Sequence, residues 1–257
     1  MRGLYIQLVS GFNLQMVKLS LLLPTRGRPD LVYGFLESIL ANACEPQFVE
    51  VVLTIDQDDV KSQAITCPPP LHMVKIVGSQ GRPMGLMNQQ CYEASSGRFV
   101  MLVNDDALCR TDGWDALIYK TFSRFPDDIA LVYGNDMDQG SHVPTFPILS
   151  RAACQGMGGL CPVSYLNLHI ESHIFDVFNQ LKRLCHDRVV YLPNLVFEHL
   201  HHTLKKSVPD DTSKKQDPRS DEWLFIALDD DRYRVANHLA RIIEETRVGG
   251  GPTISKN

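Results

Sequence analysis

Residues 98 to 106 read RFVMLVNDD. Phe99 to Val103 are all apolar, a run of strand length, and it passes straight into Asn104, Asp105 and Asp106. Two adjacent carboxylates behind an apolar strand suit a hard cation such as Mg²⁺ or Mn²⁺, which prefers oxygen ligands and keeps positions open for phosphates. The same triplet would equally start a turn and cap the next helix. Its meaning therefore depends on its neighbours.

Upstream, KLSLLL (18–23) is a short apolar strand ended by Pro24, and PTRGRPD (24–30) is a loop from which Asp30 or a neighbour caps the helix LVYGFLESILANA. VEVVLTID (49–56) is a second strand, ending in the acidic segment DQDD, and LHMVKIVG (71–78) is a third. The loop GSQGRPMG leads into LMNQQCYEASSG (86–97), a helix with Gly97 as its stop. After Asp106, DGWDALIYKTFSRFP forms a helix and IALVYGND a strand ending at Asp136. This alternation predicts an α/β fold with a largely parallel sheet, whose ligands gather at the carboxyl ends of the strands. Three strands end in acid there: Asp56 with Asp58 and Asp59, Asp105 with Asp106, and Asp136.

The second half is less regular. QGMGGLCPVSYL (155–166) precedes a long helix, HIESHIFDVFNQLKRLC, and VVYLPNLVFEHLHH (189–202) gives one or two short strands. Residues 203–220 are polar and broken by proline, the composition of a mobile loop. A final helix covers 221–246, broken near Asp230, and 247–257 is expected to be disordered. The folded domain is expected over 16–246, with 1–15 a loosely held extension whose apolar stretch is too interrupted to be a signal peptide or a membrane span.

Composition narrows the class further. The 257 residues, 44% of them hydrophobic, can bury one sizeable core. A net charge of -5 and a pI near 6.0 supply no basic field for duplex nucleic acid. Seven scattered cysteines with no CxxC pair fit neither a disulfide framework nor a zinc site, so the expected location is cytoplasmic. A membrane-bound acceptor would then require peripheral attachment.

Together, KLSLLLPTRGRPD, VEVVLTIDQDD, GRPMGLMNQQCYEASSG and FVMLVNDDALCRTDGWDAL resemble the donor-binding half of family 2 glycosyltransferases with the GT-A fold, over residues 18 to about 120. The resemblance implies a single GT-A (Rossmann-like) domain, a mixed, mostly parallel sheet flanked by helices. Residues 16–120 would bind the nucleotide sugar, 121–202 would form the acceptor side, 203–220 a lid, and C-terminal helices would complete the acceptor side. It assigns Pro24, Thr25, Asp56 or Asp58, Asn88, Asn104 and Asp105 to the nucleotide sugar, and Arg26 and Arg82 are available as cations to share the charge of its phosphates. Asp105 would face the ribose or a metal-bound water, and Asp106 would hold Mn²⁺ or Mg²⁺. Asn104 departs from the family's DxD pattern, where the first position is acidic. A weaker resemblance continues through PILSRAACQGMGGLCP and implies His199 as a second metal ligand, with His201 and His202 nearby. Arg28, Lys205 and Lys206 are further cations in reach of a phosphate.

The implied reaction moves a sugar from a nucleoside diphosphate, a UDP-sugar favoured, to a glycan or other hydroxyl acceptor. A bound cation stabilises the leaving diphosphate. A carboxylate would take the acceptor proton, Glu171 first and Asp136 second. Two other readings are weighed. A sugar-nucleotide nucleotidyltransferase needs glycines where Pro24 stands, and a non-catalytic nucleotide- or carbohydrate-binding module of the same fold would explain Asn104.

Overall fold

Side chains alternate across a strand, and β2 (Leu19–Thr25) divides accordingly: Leu19, Leu21 and Leu23 enter one apolar layer and Leu22 the other. The computed structural model describes residues 5–8, 17–200 and 218–249. Beside β2 stand β3 (Val49–Asp56) and β5 (Phe99–Leu102), and β4 (His72–Gly78) lies outside β3, all parallel. Their connections carry α1 (Pro29–Asn42), the single turn α2 (Val60–Gln63) and α3 (Met84–Ala94).

Past β5 the sheet changes character. β8 (Ile148–Ser150) pairs antiparallel to β5, and β7 (Leu131–Asn135) antiparallel to β8. β9 (Val189–His199) then runs parallel to β7, and the three-residue β6 (Ala107–Cys109) closes that edge antiparallel to β9. At the far edge β1 (Tyr5–Leu8) lies antiparallel to β4. The order is β1-β4-β3-β2-β5-β8-β7-β9-β6, a mixed, mostly parallel sheet. One layer packs under α1 and α4 (Trp114–Phe122), where fully buried Trp114 donates to Ile39 O at 3.1 Å. The other packs under α3, α5 (Arg151–Met157), α6 (Ile170–Arg183) and α8 (Asp229–Gly249). The helix α7 (Pro218–Ala227) precedes α8.

Several expectations are corrected. Pro24 does not end the first strand: β2 continues to Thr25, because pairing with β5 stops at Leu22 and only β3 still flanks the proline. Asp30 does not cap α1, which begins at Pro29 with Arg28 at the cap position and no side-chain cap bond. Gly97 is no helix stop: α3 ends at Ala94, and a Cβ on Gly97 would strike Ser20 of β2. Residues 5–8, expected within a loose extension, add an edge strand. The break in the final helix falls between α7 and α8, at Leu228. The expectations for residues 201–217 and 250–257, including His201, His202, Lys205 and Lys206, lie outside the described residues.

Candidate functional site

The carboxyl ends of β2 and β3 and the loop after β4 bring the first cluster together. Arg26, just past β2, donates from Nη1 to Asp56 Oδ2 at 2.7 Å and grips Asp58 through both terminal nitrogens at 2.8 and 2.7 Å. From the other side Arg82 Nη2 reaches Asp56 Oδ1 at 3.2 Å and Ile55 O at 2.7 Å, while Nη1 reaches Gln90 of α3 at 2.8 Å. Asp56 is thus a buried carboxylate between two guanidinium groups. Asp59 caps α2 and also accepts from Gly27 N at 2.6 Å, which ties the loop after β2 to the end of β3. Asn88 is buried on α3 and makes no hydrogen bond to Asp105 or Asp106.

Asp105 has a different task from the one the resemblance implies. Its Oδ2 accepts from Thr25 Oγ1 at 2.7 Å, its Oδ1 is 2.8 Å from Arg28 Nη2, and its side chain has no exposed surface. In this structure the carboxylate faces protein groups and no solvent. It fastens the end of β5 to the loop after β2. Arg28, one of several cations within reach by sequence, is its counter-ion.

Asp106 meets His199 through strand register. Ala107 stands opposite His199 in the β6–β9 pair, and Leu200 N donates to Asp106 O at 2.8 Å. His199 Nε2 lies 3.2 Å from Asp106 Oδ1 and 3.4 Å from Asn104 Nδ2. Burial alone would raise the pKa of Asp106. The hydrogen bond and charge of His199, with Arg28 behind, outweigh it and hold Asp106 below the ordinary carboxylate value.

Among the described residues no three His, Cys, Asp or Glu side chains gather as a metal cluster. What converges is one carboxylate, one imidazole and one amide. An amide turned through 180° presents oxygen where its nitrogen stands. That donor set is borderline-hard and short of a closed shell, so it suits Mn²⁺ with further ligands from a substrate's phosphates.

Asp136 is occupied otherwise. Its Oδ1 accepts from the backbone N–H groups of Asp138, Gln139 and Gly140 at 2.8 to 3.0 Å, and its Oδ2 accepts from Thr145 Oγ1. Burial pushes its pKa up, but these four donors prevail and leave it lowered. It holds the 136–145 loop and is poorly suited to take a proton. Glu171 is the contrast. In the first turn of α6 and partly exposed, it has its pKa raised by the crowding around its carboxylate, against a lowering influence of His199. A cavity of about 220 Å³, lined in part by Leu160, Cys161, His173 and Val235, lies against α6 and α8, and none of the acidic residues above lines it.

Sequence reading missed the contacts made by short or distant segments: Arg28 on Asp105, Thr145 on Asp136, and the strand β6 that aligns His199. Three residues leave too short a period to register, and no spacing rule joins Thr145 to Asp136. Among the described residues no helix is long and apolar enough to cross a membrane.

No protein-family model matches the chain, and a search among curated proteins finds no match either. Solved structures do match. A fragment of S. aureus TarS, residues 1–349 in complex with UDP, is 14% identical with a TM-score of 0.53, over 91% of this chain and 92% of that one. The mannosyltransferase PcManGT from Pyrobaculum calidifontis, in complex with GDP-Man and Mn²⁺, is 13% identical with a TM-score of 0.51, over 96% of this chain and 79% of that one. In a longer TarS structure, 15% identical with a TM-score of 0.52, the match covers 70% of this chain and only 36% of the other. At such identities the likeness speaks for architecture alone, and the architecture is a GT-A glycosyltransferase-like fold.

Proposed function

We propose that the protein is a glycosyltransferase that moves a sugar from a nucleoside-diphosphate donor to a hydroxyl acceptor, assisted by Mn²⁺ or Mg²⁺ at Asp106 and His199. The observation that carries this reading is the approach of His199 Nε2 to Asp106 Oδ1, 3.2 Å, beside Asn104 at the carboxyl edge of the sheet. A divalent cation there supplies electrostatic stabilisation to a departing diphosphate. The remaining work falls to side chains. Asp105, locked by Thr25 and Arg28, sets the direction of the Asn104–Asp106 turn. Glu171, with its raised pKa, takes the proton of the attacking hydroxyl.

The base is read at Asp56. A carboxylate flanked by guanidinium N–H groups is acceptor between donors, the complement of a uracil edge, where N3–H lies between two carbonyl oxygens. A guanine edge would set its exocyclic amine against one arginine. This supports a UDP-sugar, with dTDP sharing the same edge. The solved relatives in complex with UDP and with GDP-Man show both bases on this architecture, so the choice belongs to the local residues.

A thermal-shift titration with UDP, GDP, CDP and dTDP, each with and without Mn²⁺, tests this, since a ligand bound only by the folded state raises its stability. We expect a Mn²⁺-dependent shift with UDP that disappears in Asp106→Ala. Silence with all four nucleotides would move the protein to the binding-module reading.

A further inference from the structure

We infer that Asp221, in the first turn of α7, is a positioning residue that sets Glu171 for its role in transfer by clamping the loop from which α6 starts. The inference rests on the reading of Glu171 given above. Asp221 is 1% exposed, and its carboxylate accepts three consecutive backbone N–H groups, from Leu166 at 2.8 Å, Asn167 at 2.8 Å and Leu168 at 2.7 Å. The next residue, His169, precedes α6 with φ of 64°, a left-handed conformation that a side-chain-bearing residue keeps only where its surroundings dictate it. Three more contacts hold this segment. The His169 ring stacks on Phe225 of α7 at 5.2 Å, and the carbonyls of Leu166 and Tyr165 accept from Met84 and Gly85 at the start of α3, both at 2.9 Å.

The loop is therefore held between α3, on the nucleotide side, and α7. Glu171 follows two residues after the left-handed turn, so the setting of residues 166–169 bears on the first turn of α6, which carries its carboxylate. Asp221 touches no part of the acidic cluster. An effect on turnover must then pass through the loop. Misplacing a reacting group by about 1 Å costs on the order of 10²-fold in rate, and partial loosening costs less.

The experiment compares wild type, Asp221→Asn, Glu171→Gln and the double variant. UDP release from UDP-glucose, UDP-galactose and UDP-GlcNAc is measured in Mn²⁺ with water as acceptor, alongside the UDP thermal shift and amide exchange. For Asp221→Asn we expect turnover to fall about 10-fold or more with KM within about twofold, an unchanged UDP shift, and faster exchange confined to residues 165–171. In the Glu171→Gln background the same change should have no further effect, because a positioning residue acts only through the group it positions. Wild-type turnover in Asp221→Asn, or an equal loss in both backgrounds, overturns the inference. If Asp221→Asn does not fold, Phe225→Leu, which removes only the stack on His169, is put through the same cycle. A wild type that neither binds UDP nor releases it defeats the reading of the site, and this inference with it, before any variant is compared.

Discussion

The two sides of the sheet are built by different means. From β2 to β5 most site residues stand at or just past the end of a strand, and the two arginines on Asp56 come from nearby segments, Arg26 30 residues away and Arg82 26, while Thr25 reaches Asp105 across 80. From β6 to β9 the pairings are mostly antiparallel, β6 and β8 have only three residues each, and the strands are joined across long intervals. His199 comes from 95 residues beyond Asn104, and Asp221 from more than 50 beyond the loop it holds. On the proposed reading, repeated strand-helix units are enough to make a nucleotide edge. Bringing His199 to Asp106 takes non-local pairing of β6 with β9, and that part of the molecule is correspondingly easier to disturb.

The sharpest way to separate the two sides is Glu171→Gln. Loss of a general base typically costs 10² to 10⁴-fold in rate, so UDP release should fall by about that much while the UDP and Mn²⁺ thermal shift stays put. The pH profile adds a check. The base works when deprotonated and its pKa is raised, so the wild-type rate should climb with pH above the ordinary carboxylate range, a limb the variant lacks.

Acid should also act first on the half of the molecule that carries α6. His173 of α6 is 8% exposed and hydrogen-bonded through Nδ1 to Tyr165, and burial, aided by the charge of Arg232, lowers its pKa from 6.5 to about 4. The unfolded chain takes up this proton below 6.5 and the folded one only below about 4. Stability present above 6.5 is therefore lost as pH falls between those values, on the order of 3 kcal/mol at roughly 1.4 kcal/mol per unit. Urea midpoints across this interval should slope in wild type and flatten in His173→Gln. An unchanged slope would shift the acid sensitivity elsewhere.

The smallest effect tests the seam between the sides. A Cβ on Gly85, where α3 begins, would meet Pro162 O, so Gly85→Ala forces apart the nucleotide-side helix and the acceptor-side loop. Overpacking of this kind costs about 1–3 kcal/mol. Urea denaturation should show that loss, and neutrality would mean that the loop yields without strain.

How much of this was legible follows the same division. The apolar runs of β2, β3, β4 and β5 and the acids behind β3 and β5 could be read directly, because these strands are predominantly hydrophobic and largely buried on both faces. Asp56, Asp106 and His199 are singled out on that basis together with the family resemblance, and the structure brings Asp106 and His199 within 3.2 Å of each other. Asp105 was assigned to the site but not to its task, since nothing in a single sequence says that Thr25 and Arg28 enclose it. β6 and β8 have three residues each and no period to detect, and the acid clamp of Asp136 depends on a turn closed by Thr145. Gly97 was mistaken for a helix stop because a glycine needed for close approach to Ser20 looks the same in sequence as one needed for a turn.

The arginines around the site have a consequence for how the protein would handle its cation. Asp56, Asp58 and Asp105 are each already neutralised by Arg26, Arg82 or Arg28, and only Asp106 relies on a partner, His199, that is cationic solely when protonated. Three of the four acids thus need no bound ion for the chain to fold. On the proposed reading, a chelator would stop turnover and leave the melting temperature of the ligand-free protein where it was. The ion would arrive and depart with the diphosphate, a co-substrate of the reaction and no part of the architecture.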